Sequence, residues 1–142
     1  MGGDTPDADG AILVLLDAGE DDTDVYVLGL RQSVVDDESL SLLFLECDDA
    51  ESQQKIDLGM DTYCLVVDPG QATAYGGVLE CEVTGRRLRL ALTDETADEL
   101  GLPSRPEFAL DLTEEQLAMV RRGLRRVLTS GRPDDVPAIL GV

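Results

Sequence analysis

Short apolar runs alternate with acidic, turn-forming segments along the first half of the chain. Three continuous apolar runs occupy residues 11–16, 25–30 and 40–47. Runs of this length that are rich in β-branched, aromatic and leucine side chains favour strands over helices. The segment 17–22 between the first two runs is rich in Asp and Gly and predicts an acidic loop. We therefore expect three strands here, each apolar on both faces.

In the middle of the chain a polar segment is followed by a further predicted strand. Residues 49–55 are polar and predict one or two helical turns. Residues 63–67 then predict a strand, which the turn Asp68-Pro69-Gly70 ends, because proline presets φ and glycine accepts a positive φ.

An alternating pattern on both sides of Thr84-Gly85 predicts a β-hairpin with these two residues as its loop. In that register apolar side chains face each other on one side of the hairpin. On the other side Glu82 faces Arg87. Glu80 likewise faces Arg89, and each pair of opposite charges contributes about 0.2–1 kcal/mol. Both faces therefore support the same pairing.

Two helices are expected in the second half of the chain. Residues 93–100 predict a short helix closed by Gly101, and alternation at 108–112 predicts a last strand. A longer helix begins at Thr113, which forms a capping box with Gln116. An apolar stripe follows this helix. Four arginines suit its negatively charged C-terminal end, namely Arg121, Arg122, Arg125 and Arg126.

These elements predict an α+β fold. We expect a mainly antiparallel, strongly curved β-sheet, with a short helix and one long C-terminal amphipathic helix packed on one face. The length suits a single domain over residues 1–142, with 1–9 and 133–142 as loose termini. One helix cannot cover two apolar faces. Either the sheet curls around its own core, or the N-terminal strands meet a second copy in a homodimer.

The charge of the chain is large, negative and unevenly distributed. The formal net charge is −19, and residues 1–68 carry 18 acidic residues against only Arg31 and Lys55. Binding of nucleic acid or of an anionic membrane needs clustered Lys and Arg, so we expect neither as a partner. A basic protein is the partner that this charge favours.

Signatures of catalysis and of cofactor binding are missing from the sequence. There is no histidine, so neither a His-based triad nor an imidazole base can form. Gly76-Gly77 lacks the spacing of a phosphate-binding loop. The segment around Asp7 and Asp9 resembles the middle of a calcium loop, but Leu16 stands where such a loop needs a bidentate Glu. Glu80 and Glu82 are the most tempting carboxylate pair, but their cross-strand arginines explain them. We expect no cofactor, no metal and no catalytic residue.

The cysteines and the hydropathy of the chain indicate the cellular compartment that we expect for the protein. Cys47, Cys64 and Cys81 are far apart and include no CxxC pair, so we interpret them as small buried apolar residues in a reducing compartment. No apolar run approaches the roughly 20 residues that span a bilayer. The acidic start is unlike a secretory signal. We expect a cytoplasmic protein.

The central segment resembles a bacterial protein family. Residues 57–67, DLGMDTYCLVV, followed by 74–80, AYGGVLE, are similar to the signature of the immunity protein 10 family of polymorphic-toxin systems. The likeness covers about residues 57–126. It implies a small non-enzymatic protein that binds and neutralises a toxin domain. The matching motif positions are Gly59, Asp61, Tyr63, Tyr75, Gly76 and Gly77.

Charge and resemblance together predict where the toxin binds. We expect an acidic surface, with Tyr75 as an aromatic anchor or else as a structural residue of its strand. The predicted contact residues are Asp21, Asp22, Asp24, Asp36, Asp37, Glu38, Asp48, Asp49, Glu51, Asp57, Asp61 and Tyr75. The alternatives are a small acidic homo-oligomeric module and a carboxylate-dependent enzyme.

Overall fold

Ten strands and two helices make up the part of the chain that the structure describes, which confirms the α+β class. In this computed structural model the described residues are 13–23, 25–32, 40–46, 62–68, 70–130 and 137–142. The strands are β1 (Leu13–Leu15), β2 (Asp17–Asp21), β3 (Val27–Arg31), β4 (Ser41–Leu45), β5 (Cys64–Asp68), β6 (Ala72–Tyr75), β7 (Val78–Thr84), β8 (Arg87–Leu92), β9 (Glu107–Leu110) and β10 (Ile139–Gly141). The helices are α1 (Asp94–Leu100) and α2 (Glu114–Leu128).

The N-terminal sheet consists of β2 to β6 in sequence order, with every neighbouring pair antiparallel. Along β3 and β4 every second side chain is fully buried, as Leu28 and Phe44 are, and the fully buried Leu65 of β5 lies opposite Phe44. The alternate residues of these strands are half-buried except for the exposed Arg31, and most of them are apolar. This pattern explains why the apolar runs of the sequence predicted strands that are apolar on both faces.

Strand β2 lies where the sequence predicted an acidic loop. Cross-strand partners override the poor strand propensity of Asp and Gly. Ala18 is buried opposite Leu30, and Asp17 forms an ion pair with Arg31 at 3.4 Å. The prediction of a loop at 17–22 was therefore wrong for residues 17–21.

The C-terminal sheet has the order β1-β9-β8-β7-β10. The central pairs are antiparallel, but both edge strands are added in parallel, β1 beside β9 and β10 beside β7. The last residues thus differ from the loose C-terminus that the sequence predicted, because β10 joins the sheet and Leu140 packs against the core. The expected loose end at 1–9 and the helical turns expected at 49–55 lie outside the described residues.

The described residues form two sheets, where the sequence predicted one strongly curved sheet. Buried side chains of both sheets and both helices form one apolar cluster. Helix α2 packs across β2, β3 and β4, and α1 contacts β6 and β8. Apolar strand faces are thus covered from within the chain, by the second sheet and the helices, which is a solution that the sequence alone did not suggest.

The helix ends follow local sequence rules. Thr113 caps α2, its side chain accepting from the Gln116 N–H while the Gln116 side chain accepts from the Thr113 N–H, so the predicted capping box is confirmed. Thr93 caps α1, and Gly101 ends it in the left-handed conformation. Because these caps are local, they could be predicted from sequence alone.

Candidate partner-binding surface

Three of the predicted contact residues fall within the described ranges. They are Asp21 at the end of β2, Asp22 after it and Tyr75 at the end of β6. The others lie outside the described residues, namely Asp24, Asp36, Asp37, Glu38, Asp48, Asp49, Glu51, Asp57 and Asp61.

The strand register brings Asp21 and Tyr75 to one end of the N-terminal sheet. Asp21 pairs with Val27, and the same row continues through β4 and β5 to Tyr75. Paired residues share a face of the sheet. The two side chains therefore lie on the same face but at opposite edges, about 19 Å apart at the usual strand spacing.

The two long connections of this sheet start from opposite ends. The chain leaves β4 beyond Glu46 and returns at Thr62, at the end that carries Asp21 and Tyr75. The connection from Gln32 to Leu40 starts from the other end, beyond the row that contains Arg31. The strand ends that flank the predicted acidic loops are thus not all brought together.

Asp22 is already paired within the chain. The Arg126 guanidinium on α2 contacts Asp22 at 3.1 Å and Glu46 at 2.8 Å, and it stacks on the Tyr26 ring at 4.3 Å from the centroid. These two carboxylates raise the pKa of Arg126 above its ordinary value, Glu46 having the larger effect. Asp22 therefore already has a cation beside it within the chain.

A second arginine of α2 compensates another acid of the same region. Arg122 lies 3.5 Å from Glu20, and the Tyr26 hydroxyl donates to Glu20 at 2.7 Å. Burial, with this hydrogen bond, raises the pKa of the Tyr26 hydroxyl. The helix arginines thus pair with acidic side chains of the N-terminal sheet, as well as suiting the end of their helix.

Asp21 differs from its neighbour because no cation of the described residues contacts it. Its carboxylate accepts hydrogen bonds from the Thr23 hydroxyl at 2.7 Å and from the Thr23 N–H at 3.0 Å. These bonds lower the pKa of Asp21, the side-chain bond having the larger effect. The exposed carboxylate therefore stays charged and remains accessible to a cationic partner.

Three residues of the immunity protein motif have structural roles. Tyr63 is fully buried, and its hydroxyl accepts from the Val78 N–H at 3.0 Å. The Gly76 N–H donates to the Tyr63 carbonyl at 2.9 Å, and the Gly77 carbonyl accepts from the Thr93 N–H at 3.0 Å. These bonds connect the N-terminal sheet to the C-terminal sheet and to the start of α1.

A charged cavity of about 360 Å³ opens on the C-terminal sheet, around the carboxylate pair that the sequence analysis explained by cross-strand arginines. It is lined by Glu80, Glu82, Arg89, Leu90, Arg105, Pro106 and Glu107. Arg89 binds Glu107 at 2.6 Å, and this hydrogen bond lowers the pKa of the Glu107 carboxyl.

The predicted pairing of Glu80 and Glu82 with Arg87 and Arg89 was wrong. The loop of the β7–β8 hairpin is Gly85-Arg86, so Thr84 pairs with Arg87 and Glu82 pairs with Arg89. Gly85 has φ 60, which suits the first position of such a loop. Both arginines instead reach across to Glu107 on β9. Glu107 was missed because its position opposite Arg89 depends on the strand order.

The thiols described by the structure are suited to packing and not to reactivity. Burial raises the pKa of Cys64 to about 11 and that of Cys81 to about 12, where Glu82 adds to the effect. Cys47 lies outside the described residues. Within the described ranges, no three or more carboxylate or thiol groups lie close enough together to hold a metal ion. No helix in those ranges has the length and apolarity needed to cross a membrane.

Comparison with known proteins identifies the family. No curated protein and no solved structure matches the chain. The sequence profile of the family described as Immunity protein 10 matches residues 13–118, from β1 into the first part of α2. This match spans well over half of the chain, including the motif residues Tyr63, Gly76 and Gly77. The chain therefore belongs to the immunity protein 10 family, which implies an immunity protein with a toxin as its partner.

Proposed function

We propose that the chain neutralises a basic toxin domain by binding to it in the cytoplasm, without catalysis of its own. The family match over residues 13–118 is the observation that carries this proposal. The net charge of −19 supports a basic partner, because complementary charge speeds association and disfavours wrong partners.

The toxin-facing surface that we propose is built on the acidic segments at the ends of the N-terminal sheet. Asp21 supports it as an exposed carboxylate without a cation beside it among the described residues, and Tyr75 supports it as an exposed aromatic residue. Asp22 contributes less to this surface, because Arg126 already neutralises it. The remaining proposed contacts are Asp24, Asp36, Asp37, Glu38, Asp48, Asp49, Glu51, Asp57 and Asp61.

The test is a kinetic one. The probe is the toxin domain encoded beside the gene of this chain, in a catalytically inactive form. Each acidic segment, at 21–24, at 36–38 and at 48–51, is neutralised in turn by Asn and Gln, and association rates are measured over a salt series. We expect association to slow by about tenfold at low salt and the difference to shrink at high salt, since screening weakens steering.

A matched control separates a local surface from net charge. Asp98→Asn, Glu99→Gln and Glu115→Gln remove three exposed acids from the helices. If this control slows association as much as the segments do, only net charge matters. If no segment changes the association rate, the proposed acidic surface is refuted. Failure of the parent chain to bind the toxin at all would refute the proposed function itself.

A further inference from the structure

One face of the C-terminal sheet carries charged side chains at its centre. Glu82, Arg89 and Glu107 lie side by side on β7, β8 and β9, and Ile139 pairs with Glu80 on the same face. The opposite face of these strands is buried in the core. The cavity of about 360 Å³ is therefore a depression in a charged sheet face.

The positive charge within the cavity is unevenly shared among its carboxylates. Glu107 forms ion pairs with both Arg87, at 3.6 Å, and Arg89, at 2.6 Å. Among the described residues Glu80 pairs only with Arg105, at 3.8 Å, and the Arg105 side chain is 74% exposed. Such a long, exposed pair contributes little.

The Glu82 side chain makes no ion pair and no hydrogen bond with the described residues. It is half-buried and lies against β10, its Cγ 3.4 Å from where a Cβ at Gly141 would be. A partly buried carboxylate gains most from a cation that satisfies its oxygens. Counting the cations that the structure describes, Glu80 and Glu82 together leave room for one further positive charge.

Two exposed apolar residues lie next to Glu80, Leu79 before it on β7 and Ile139 paired with it from β10. Leu79 is 49% exposed and Ile139 is 45% exposed, and the Ala138 N–H donates to the Leu79 carbonyl. Apolar patches rimmed by charge are typical of protein interfaces. This part of the surface thus joins carboxylates to the kind of apolar contacts that partners bury.

We propose that the cavity between Glu80 and Glu82 receives an arginine or lysine side chain of the toxin, an inference that rests on the proposed function. The cation lies between the two carboxylates, and its methylene groups contact Leu79 and Ile139. The cavity volume is at the lower end of the range for small-ligand sites, which suits a guanidinium group with its aliphatic stem.

If a toxin cation inserts into the cavity, variants of the cavity should change the dissociation rate. Variants of the acidic segments should instead change the association rate. Removing one partner of a desolvated charge pair acts mainly on the dissociation rate. Glu82→Gln is expected to raise the dissociation rate of the inactive toxin domain by about tenfold or more, and adding Glu80→Gln to raise it further. Association rates should change less than twofold.

Glu115→Gln is the matched control, because it removes the same charge from an exposed position on α2. It should leave the dissociation rate unchanged within twofold. Thermal unfolding of all variants checks that they fold. In double-mutant cycles, one Arg→Ala or Lys→Ala change in the toxin should lose its effect in the Glu82→Gln background, which identifies the inserted side chain.

Two results would overturn the proposal. One is a complex that forms with the parent affinity and dissociation rate in the Glu80→Gln, Glu82→Gln double variant. The other is a free chain that sediments as a dimer and becomes a monomer on Ile139→Asp, because a second copy would then occupy this face. In both cases the proposed function stands as long as the toxin binds, whereas a parent chain that binds no toxin overturns the function as well.

Discussion

A methyl group added at Gly77 tests how the two sheets and α1 are held together. Gly77 has φ 88, and an ideal Cβ at this position would lie 1.9 Å from Thr96 Oγ1 and 2.8 Å from Thr96 Cβ. Thr96 is buried on α1, and the Gly77 carbonyl accepts a hydrogen bond at the start of this helix. Gly77→Ala therefore forces both the backbone and the helix to move.

The size of the effect can be worked out from two contributions. A left-handed backbone costs a residue with a Cβ about 1–2 kcal/mol. Excess volume in a packed core costs about 1–3 kcal/mol. We expect Gly77→Ala to lower the free energy of unfolding by about 2–5 kcal/mol.

Two other glycines separate these contributions. Gly85 has φ 60, and no atom lies within 4 Å of its ideal Cβ, so Gly85→Ala should cost only the backbone contribution of about 1–2 kcal/mol. Gly19 lies in β2 with neither constraint, so Gly19→Ala should stay within about 0.5 kcal/mol of the parent.

Urea unfolding at equilibrium measures the series, with the slope m checked for constancy. In a Thr96→Ala background, Gly77→Ala should cost less than in the parent chain, because Thr96 Oγ1 and Cγ2 are gone. The reasoning fails if Gly77→Ala destabilises no more than Gly85→Ala, or if Thr96→Ala gives no relief.

Three further predictions concern contacts described above. Tyr63→Phe leaves a buried N–H of β7 without its acceptor and should cost about 1–3 kcal/mol by urea unfolding. Arg126→Met removes the contacts to Asp22 and Glu46, so the urea midpoint should fall at low salt and fall less at 1 M NaCl; an equal fall at both would contradict an ionic role. The pKa of Glu107 is lower in the folded chain than the ordinary carboxyl value of about 4.5. The ionised carboxylate therefore stabilises the fold above this pH, and the stabilisation is lost as the pH falls below it. Glu107→Gln should accordingly make the free energy of unfolding fall less steeply as the pH is lowered.

Local patterns were sufficient to predict most of the elements. Apolar runs predicted β3 and β4, and the pair Thr113 and Gln116 predicted the start of α2, because these signals depend on neighbouring residues alone. Strand β2 was missed because its five residues, DAGED, have low strand propensity. What makes them a strand is their pairing with β3, which no local pattern of β2 contains.

Long-range pairing limited the prediction of the site. The ion pair between Asp22 and Arg126 could not be predicted, because the two residues are over a hundred positions apart in sequence. Glu107 appeared unremarkable until the strand order brought it beside Arg89. Tyr63 and Gly77 were recognised as motif positions, but their role in connecting two sheets depends on hydrogen bonds that only the folded chain reveals.

The order of strands in the C-terminal sheet has a consequence for synthesis on the ribosome. Strand β1 is made first among the described strands, yet it pairs with β9, from which β2 to β8 separate it. At an elongation rate of about 5–20 residues per second, roughly 5–20 s pass between the synthesis of Leu13 and that of its partner Phe108. The five strands of the N-terminal sheet are complete before then. In a nascent chain β1 therefore lacks its β9 partner until Phe108 has been synthesised, while all five strands of the N-terminal sheet already exist.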